Sequence, residues 1–382
     1  MMRLAIALAC VAATVSVARL AHAERRWLRA NFHAHTQAKL VEDDGSESAE
    51  ALHKAVRAAG FDFSLHTPHC NSDESTAEAW AAQRAMETKL EVPGLTIAVG
   101  EELTVLDGPR YASRTQVLGR PAPGNLNHLT IVGNAAHLAF RTLTPGEACE
   151  RVHHDGGICI VNHPGPGPMM WEEGYWETPK NRARVDALEV YNGQALSVVG
   201  IDFESRYREA TAYRGLGIKI AATTGADTHG PKSMARAQAK LAGLAGAASK
   251  LMKLVTPTST SARPELDAAT LVWADGARTQ DVIAAVKARR TVATYALKDL
   301  AVSVDGLGEV RKSGDVKLKI SFSRKLGEVT LYREGVVVQS WRDTDAVEFA
   351  ETISAPAAYV FAARDGAGRL MTSAIWYEPP AR

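Results

Sequence analysis

Cysteine is scarce in this chain: there are four in 382 residues, Cys10 inside an N-terminal apolar run and Cys70, Cys149 and Cys159 beyond it. An odd set of three cannot pair completely, so the fold does not rest on a disulfide framework. An excess of charge of one sign is missing too. Lys and Arg number 44 against 43 Asp and Glu, mixed along the chain for a net charge of +1, which excludes the basic surface that duplex nucleic acid requires. Past the N-terminus there is no apolar run of the roughly 20 residues that a membrane-spanning helix takes. No internal repeat is present. What the chain does have is 46% hydrophobic residues, enough for one large globular domain with a small appendage.

The one long apolar run lies at the start. Arg3, the apolar residues 4–17 and Ala21-His22-Ala23 ahead of Glu24 have the layout of a secretory signal peptide, with cleavage expected after Ala23. A retained anchor is disfavoured because the run is too short to span. A lipoprotein modified at Cys10 would leave a still shorter stretch before it, and is the minor alternative. Removing residues 1–23 takes away Arg3 and Arg19 and no acid, so the mature chain is near neutral and is expected to be secreted or periplasmic.

Strand-like and helix-like runs then alternate. Residues 46–59 carry Ala49, Leu52, Ala55, Val56 and Ala59 at helical spacing and stop at Gly60. Phe61-Asp62-Phe63-Ser64-Leu65 reads as a strand that runs into His66-Thr67-Pro68-His69. Further strands are expected at 95–99, 128–133, 158–161, 187–191 and 218–222, with helices at 77–90 and 145–154. Gly165-Pro166-Gly167-Pro168 can be neither helix nor central strand, so the chain turns there. This alternation argues for an α/β parallel arrangement of barrel type, with functional groups at the strand C-termini. Residues 235–254 read as an inserted surface helix and 256–264 as a connector, and 279–289 as a last amphipathic helix. After about Leu297 the pattern is strands only, with turns at Glu334-Gly335 and Asp365-Gly366 and no titratable cluster. The expected domains are therefore a barrel over 24–296 and a small β-sandwich over 297–382.

The strand ends carry the chemistry. His33 and His35 share one face of an extended strand and can aim both rings at one ion. His69, Glu102, His128, His163, Asp227 and His229 stand at the ends of later strands, with Asp43 or Asp44 in the loop after the first. Any one of these histidines alone is more often a structural residue. Six imidazoles and at least two carboxylates together exceed the needs of one cation, so two or three divalent ions are expected. Imidazole donors with shared carboxylates suit zinc, manganese or iron, whereas magnesium prefers oxygen.

His33-Ala34-His35, Gly60 through His69, Gly100-Glu101-Glu102, His128-Leu129, Asn162-His163-Pro164 and Asp227-Thr228-His229 run in an order that resembles the PHP family, the polymerase and histidinol phosphatase superfamily of metal-dependent hydrolases. The resemblance covers residues 30–295 and implies a distorted (β/α)7 barrel that holds up to three metal ions. It implies His33, His35, Glu102 and Asp227 at the first, Glu102 bridging to a second held by His128 and His163, and His69, His229 and Asp44 at the third. The chain departs from many members in reading Thr67-Pro68-His69-Cys70 where they have Thr-Asp-His-Asn, and in a longer loop between His35 and Asp44. The β module, with Asn162-His163-Pro164 and Tyr191-Asn192-Gly193, is similar to an exported branch that includes carbamate hydrolases.

The expected reaction is hydrolysis of a small phosphoester or short nucleotide by metal-activated water, with no side-chain nucleophile. A carbamate or carboxylic ester hydrolase on the same metals is one alternative. A non-catalytic metal- or glycan-binding protein is the other. Arg110, Arg114 and Lys232 are candidates to hold a phosphate, although exposed loop cations are commoner. Trp171, Tyr175 and Trp176 read equally as a wall over the site or as core. Cys70, with a soft metal ligand as its alternative, reads as a buried small residue, and His66, with a partner to a metal ligand as its alternative, as a core or loop residue; His53, His137, His153 and His154 read as solvent-facing ones. The oligomeric state is not readable from this sequence.

Overall fold

The computed structural model describes residues 25–37, 45–70, 76–106, 127–139, 141–165, 171, 174–232 and 262–380. The expected leader, Asp43, Asp44, Arg110, Arg114 and the expected helix at 235–254 lie outside these residues. No helix among the described residues is long and apolar enough to cross a membrane.

The first strand, β1 (Arg26–Asn31), buries Leu28 and Ala30 in a core shared with Phe63, Leu65 and Val272. It pairs in parallel with β2 (Phe63–His66), which pairs in parallel with β4 (Thr96–Val99). Between β1 and β2 runs helix α1 (Ala49–Ala58), opened by the Ser48 hydroxyl, which accepts from the Ala51 amide at 3.2 Å. Helix α2 (Ala77–Glu87) starts in the same way at Thr76.

Two lines of chain then change sheets. Beyond Thr67-Pro68 and beyond Gly100 they continue as β3 (His69–Cys70) and β5 (Glu101–Thr104), which pair with each other. From β5 a second sheet grows through β6 (His128–Val132), β7 (Ile158–Val161), β8 (Ala187–Asn192) and β9 (Ala221–Gly225). Proline cannot donate to a ladder, and a Cβ at Gly100 would fall 2.1 Å from the Ile131 carbonyl oxygen, so the crossing is written into both residues. Helix α3 (Pro145–His154), closed at its start by a Thr144–Glu147 capping box, leads into β7.

On its other edge β1 pairs antiparallel with β10 (Ala268–Ala274), which pairs with β11 (Thr291–Tyr295). The second sheet meets this edge through threonines rather than a strand ladder. Thr270 Oγ1 accepts from the Thr224 amide at 2.8 Å, and Thr291 Oγ1 donates to the Ala222 carbonyl at 2.7 Å. Short helices α4 (Pro179–Arg182), α5 (Gly193–Val199) and α6 (Glu204–Thr211) and the amphipathic α7 (Thr279–Lys287) cover the outside.

The architecture is thus mixed α/β and richer in antiparallel pairing than the parallel barrel expected from the sequence: β1–β10, β10–β11, β5–β6 and β6–β7 are all antiparallel. The C-terminal strands also differ from a separate sandwich. After the short strands β12 (Val302–Val304) and β13 (Val310–Arg311), the long hairpin β14 (Asp315–Arg333) and β15 (Val336–Thr352) leads to β16 (Ala357–Asp365) and β17 (Gly368–Thr372), and β17 pairs antiparallel with β11. One sheet of twelve strands therefore runs from the N-terminal half into the C-terminal half. Alternation along β17 explains the join, since Met371 enters the core under the second sheet while Leu370 enters the core of the C-terminal strands.

Of the four histidines expected at the surface, His53 and His137 are packed instead, His153 is partly exposed and His154 is exposed. His53 is fully buried and lies 3.1 Å from Ser64 Oγ, His153 pairs with Asp186 at 2.7 Å, and His137 pairs with Glu101 at 2.8 Å. His66 lies in the core as expected, with Nδ1 2.5 Å from Glu87 and Nε2 3.1 Å from Thr36 Oγ1. Burial by itself pushes the Glu87 carboxyl up, but His66, His53 and Gln83 outweigh it and hold the group at about 2. A carboxyl held below its ordinary 4.5 contributes stability in full above that pH and loses it as pH falls toward 2. Glu87→Gln should therefore lower the unfolding free energy at pH 7 by about 3–5 kcal/mol, the cost of removing one partner from a buried pair. Urea titrations should show the gap between wild type and variant closing below pH 4.5, and a gap that does not depend on pH would be inconsistent with this account.

Candidate metal centre

The end of β1 is built to hold two rings in place. Asn31 Oδ1 accepts from the His33 amide at 3.3 Å and from the Ala226 amide at 3.0 Å, across the gap to the chain after β9. The Asp227 amide donates to the His33 carbonyl at 2.8 Å, and the His35 amide to the Thr228 carbonyl at 2.9 Å. Backbone bonds thus place Asp227 beside His33 and His35, and both imidazoles lie 3.3 Å from Asp227 Oδ1. Gly225 has no room for a side chain, because its Cβ would fall 2.4 Å from His33 Cβ and 2.2 Å from Glu189 Oε1.

Glu102 stands at the middle of the centre. Its two carboxylate oxygens lie 3.1 Å from His33, 3.3 Å from His35, 2.9 Å from His69, 2.7 Å from His128 and 3.3 Å from His163. The Asn162 amide donates to the same carboxylate at 2.9 Å. His69 and Glu102 face each other because they are register partners in β3 and β5. His229 completes the group, its ring stacked on His35 at 4.2 Å, with His69 against the same ring at 4.1 Å and 5.8 Å from His229. His163 and Asp227 both take positive φ, 30° and 49°, a strain that surrounding contacts must hold. All eight described residues expected at the metals from the sequence therefore converge.

The electrostatics call for cations. Burial pushes the Glu102 carboxyl up, yet His128, His33 and His69 outweigh it and hold the group well below its ordinary range. Burial pushes His33 down, and Glu102 and Asp227 reverse this and hold it well above. For His128 burial wins over Glu102, and the ring falls to about 4. His33 Nε2 and His35 Nε2 lie 3.1 Å apart. His128 Nε2 and His163 Nδ1 are buried without a hydrogen-bond partner. His33, His35 and Glu102, His69, Glu102 and His128, and His35, His69 and His229 each offer three donor atoms within 4.8 Å of one another. Such imidazole and carboxylate donors suit divalent metal binding, which would displace protons from the rings.

Sequence reasoning missed Glu189. In β8 its carboxylate lies 3.2 Å from His33 Nδ1, accepts from the His163 amide at 2.7 Å, and takes the Asn192 amide group at 3.1 Å. Asn192 reaches on to Asp227 at 3.0 Å. The signal was a lone carboxylate in a fully buried strand, Ala187–Asn192. Of the candidates for holding substrate, Lys232 is exposed and pairs with none of the eight residues, while Arg110, Arg114 and the loop ligand Asp44 lie outside the described residues. The chain on either side of that loop is pinned beside the centre: the Gln37 amide donates to Glu47 at 2.6 Å and the Ser46 amide to His229 at 2.7 Å. Trp171 and Trp176 are core residues, the former donating to the Asn162 carbonyl at 2.8 Å.

No protein-family model and no curated protein matches the chain. Among solved structures, it is similar to a two-domain protein from Bacteroides vulgatus described as containing a predicted PHP-like metal-dependent phosphoesterase, at 17% identity and a TM-score of 0.44 over 88% of this chain and 90% of that one. It also matches a fibronectin(III)-like module of CbhA from Clostridium thermocellum, at 21% identity and a TM-score of 0.18 over 22% of this chain and 100% of the other. A lytic polysaccharide monooxygenase from Jonesia denitrificans matches at 6% identity and a TM-score of 0.16, over 19% of this chain and 58% of the other.

Glu189→Gln should weaken metal affinity by about 10–100-fold with the fold intact, the usual effect of removing a carboxylate that orients a ligating histidine. Competition with a chromogenic chelator measures this directly. Gly225→Ala should displace His33 and cost at least as much, and unchanged affinity in both variants would reduce Glu189 to a packing residue.

Proposed function

We propose that this protein is an exported metal-dependent hydrolase of PHP type, which cleaves a phosphoester of a small molecule or short nucleotide with metal-activated water. The observation that carries the reading is one buried carboxylate, Glu102, with five imidazoles within 3.3 Å of its oxygens, the place a carboxylate bridging two ions would take. Divalent ions held by these residues would supply a water of lowered pKa and neutralise charge on an oxygen of the scissile group. The chain does the rest by position. His33, His35, Glu102 and His128 form a closed floor, while the side chains of His69, His163 and His229 keep 12% exposure and Asp227 16%, so substrate approaches over that rim. Glu189 and Asn192 fix His33 and Asp227 from behind. In this reading residues 24–296 form the metal-binding unit and 297–382 an appended β module.

A second reading, hydrolysis of a carbamate or carboxylic ester at the same centre, draws on the lack of a phosphate clamp among the described residues: Lys232 is exposed, and no Lys or Arg ion pair is formed with Glu102 or Asp227. A substrate without a doubly charged phosphate needs no such clamp.

Protein purified without chelator should carry at least two divalent ions per chain and release phosphate from monoesters or nucleotides. Turnover of aryl carbamates or esters instead would select the second reading. His33→Ala and Asp227→Ala should each reduce turnover by more than the roughly 10–100-fold expected of an outer partner. Full activity in either would sink the metallohydrolase, and bound metal with no turnover of any substrate would make the protein a binder. N-terminal sequencing of exported protein should begin at Glu24, and an intact Met1 would remove the leader.

A further inference from the structure

A second cluster lies behind the first. Neighbours along a strand face opposite sides, so Cys70, next to His69, and Glu101, next to Glu102, both turn away from the metal centre. They meet His137 from the turn after β6. Glu101 Oε2 lies 2.8 Å from His137 Nδ1, His137 Nε2 lies 4.0 Å from Cys70 Sγ, and one donor atom from each of the three falls within 4.8 Å of the others. Cys70 and Glu101 are 1% exposed, and the His137 side chain 7%. The other Glu101 oxygen takes the Asn134 side-chain amide at 2.7 Å. Asn134 is itself 1% exposed, and its Oδ1 is buried with no hydrogen-bond partner.

Desolvating a thiol, an imidazole, a carboxylate and a carboxamide oxygen in one place is costly where apolar residues would pack at no such cost. A cation reverses the balance. We propose that Cys70, His137 and Glu101 form a second metal site, back to back with the first, which takes one zinc-like divalent ion through a thiolate. Cys70 Sγ and His137 Nε2 bind the ion directly. Zinc bonds of about 2.3 Å to sulfur and about 2.0 Å to nitrogen span the 4.0 Å between these atoms with a single ion. Glu101, on the opposite ring nitrogen, fixes the tautomer that leaves Nε2 for the metal. Binding forms the sulfur–metal bond and releases the thiol proton to solvent. The ion ties β3, β5 and the turn after β6 together from outside, and so steadies the strands that present His69 and Glu102.

The first centre offers only nitrogen and oxygen donors. In the full chain loaded with cobalt(II), a near-ultraviolet thiolate-to-cobalt charge-transfer band therefore reports the second site and not the first. The band should appear in wild type, disappear in Cys70→Ser and in His137→Ala, and persist in His33→Ala and in the Cys149→Ser, Cys159→Ser double variant. Zinc content should fall by one ion per chain in Cys70→Ser. No band in the loaded wild type, or a band unchanged in Cys70→Ser and His137→Ala, would overturn the proposal, whatever the first centre binds or hydrolyses. His137→Ala lies on a separate turn, so it decides the matter even if Cys70→Ser does not fold.

Discussion

One constraint governs the architecture: Glu102 is an ionised carboxylate held where water does not reach. A buried charge of this kind survives only when paired and hydrogen bonded. Five imidazoles and the Asn162 amide surround it, and they come from the chain just after β1, from β3 and β6, and from the chain just after β7, so no single element can satisfy it. His33, His35 and His163 follow the C-terminal ends of β1 and β7, whereas His69 and His128 open β3 and β6. The rest of the molecule holds these residues at one point.

That convergence depends on the change of sheet at Pro68 and Gly100. Had β2 and β4 simply continued in the first sheet, His69 and Glu102 would have stayed on its edge, away from His128 and His163. The break lets β3 and β5 start the second sheet, and the register that pairs His69 with Glu102 follows. Closure on the other side falls to threonine hydroxyls from β10 and β11, which bond to the backbone of β9 next to Gly225. The same β11 receives β17, so the C-terminal strands brace the edge that closes the centre.

Positive φ at His163 and Asp227 belongs to the same picture. Asp and His tolerate that conformation better than most non-glycine residues, and each is held in it by a bond to the site: the His163 amide to Glu189 at 2.7 Å, and the Asp227 amide to the His33 carbonyl at 2.8 Å. Backbone strain is exchanged for aim, which is how binding sites commonly store it.

Much of this was legible in the sequence. His33, His35, His69, Glu102, His128, His163, Asp227 and His229 could be read because metal donors at strand ends follow from residue type and period, both local properties. Glu189 was not read, because a glutamate inside an apolar strand acquires meaning only when His33 lies 3.2 Å away across the sheet. Nor was the pairing of β11 with β17, because it depends on register between segments far apart in the chain. His137 looked like a solvent-facing loop residue until the fold brought Glu101 and Cys70 to it from two other strands. The sequence by itself determined which donors exist and in what order; the strand ends expected for all of them hold for His33, His35, His163, Asp227 and His229, whereas His69 and His128 open their strands and Glu102 lies within β5. Only the tertiary structure decided which carboxylate they share and what stands behind them, because strand alternation sorts neighbours onto faces while packing alone chooses what each face meets.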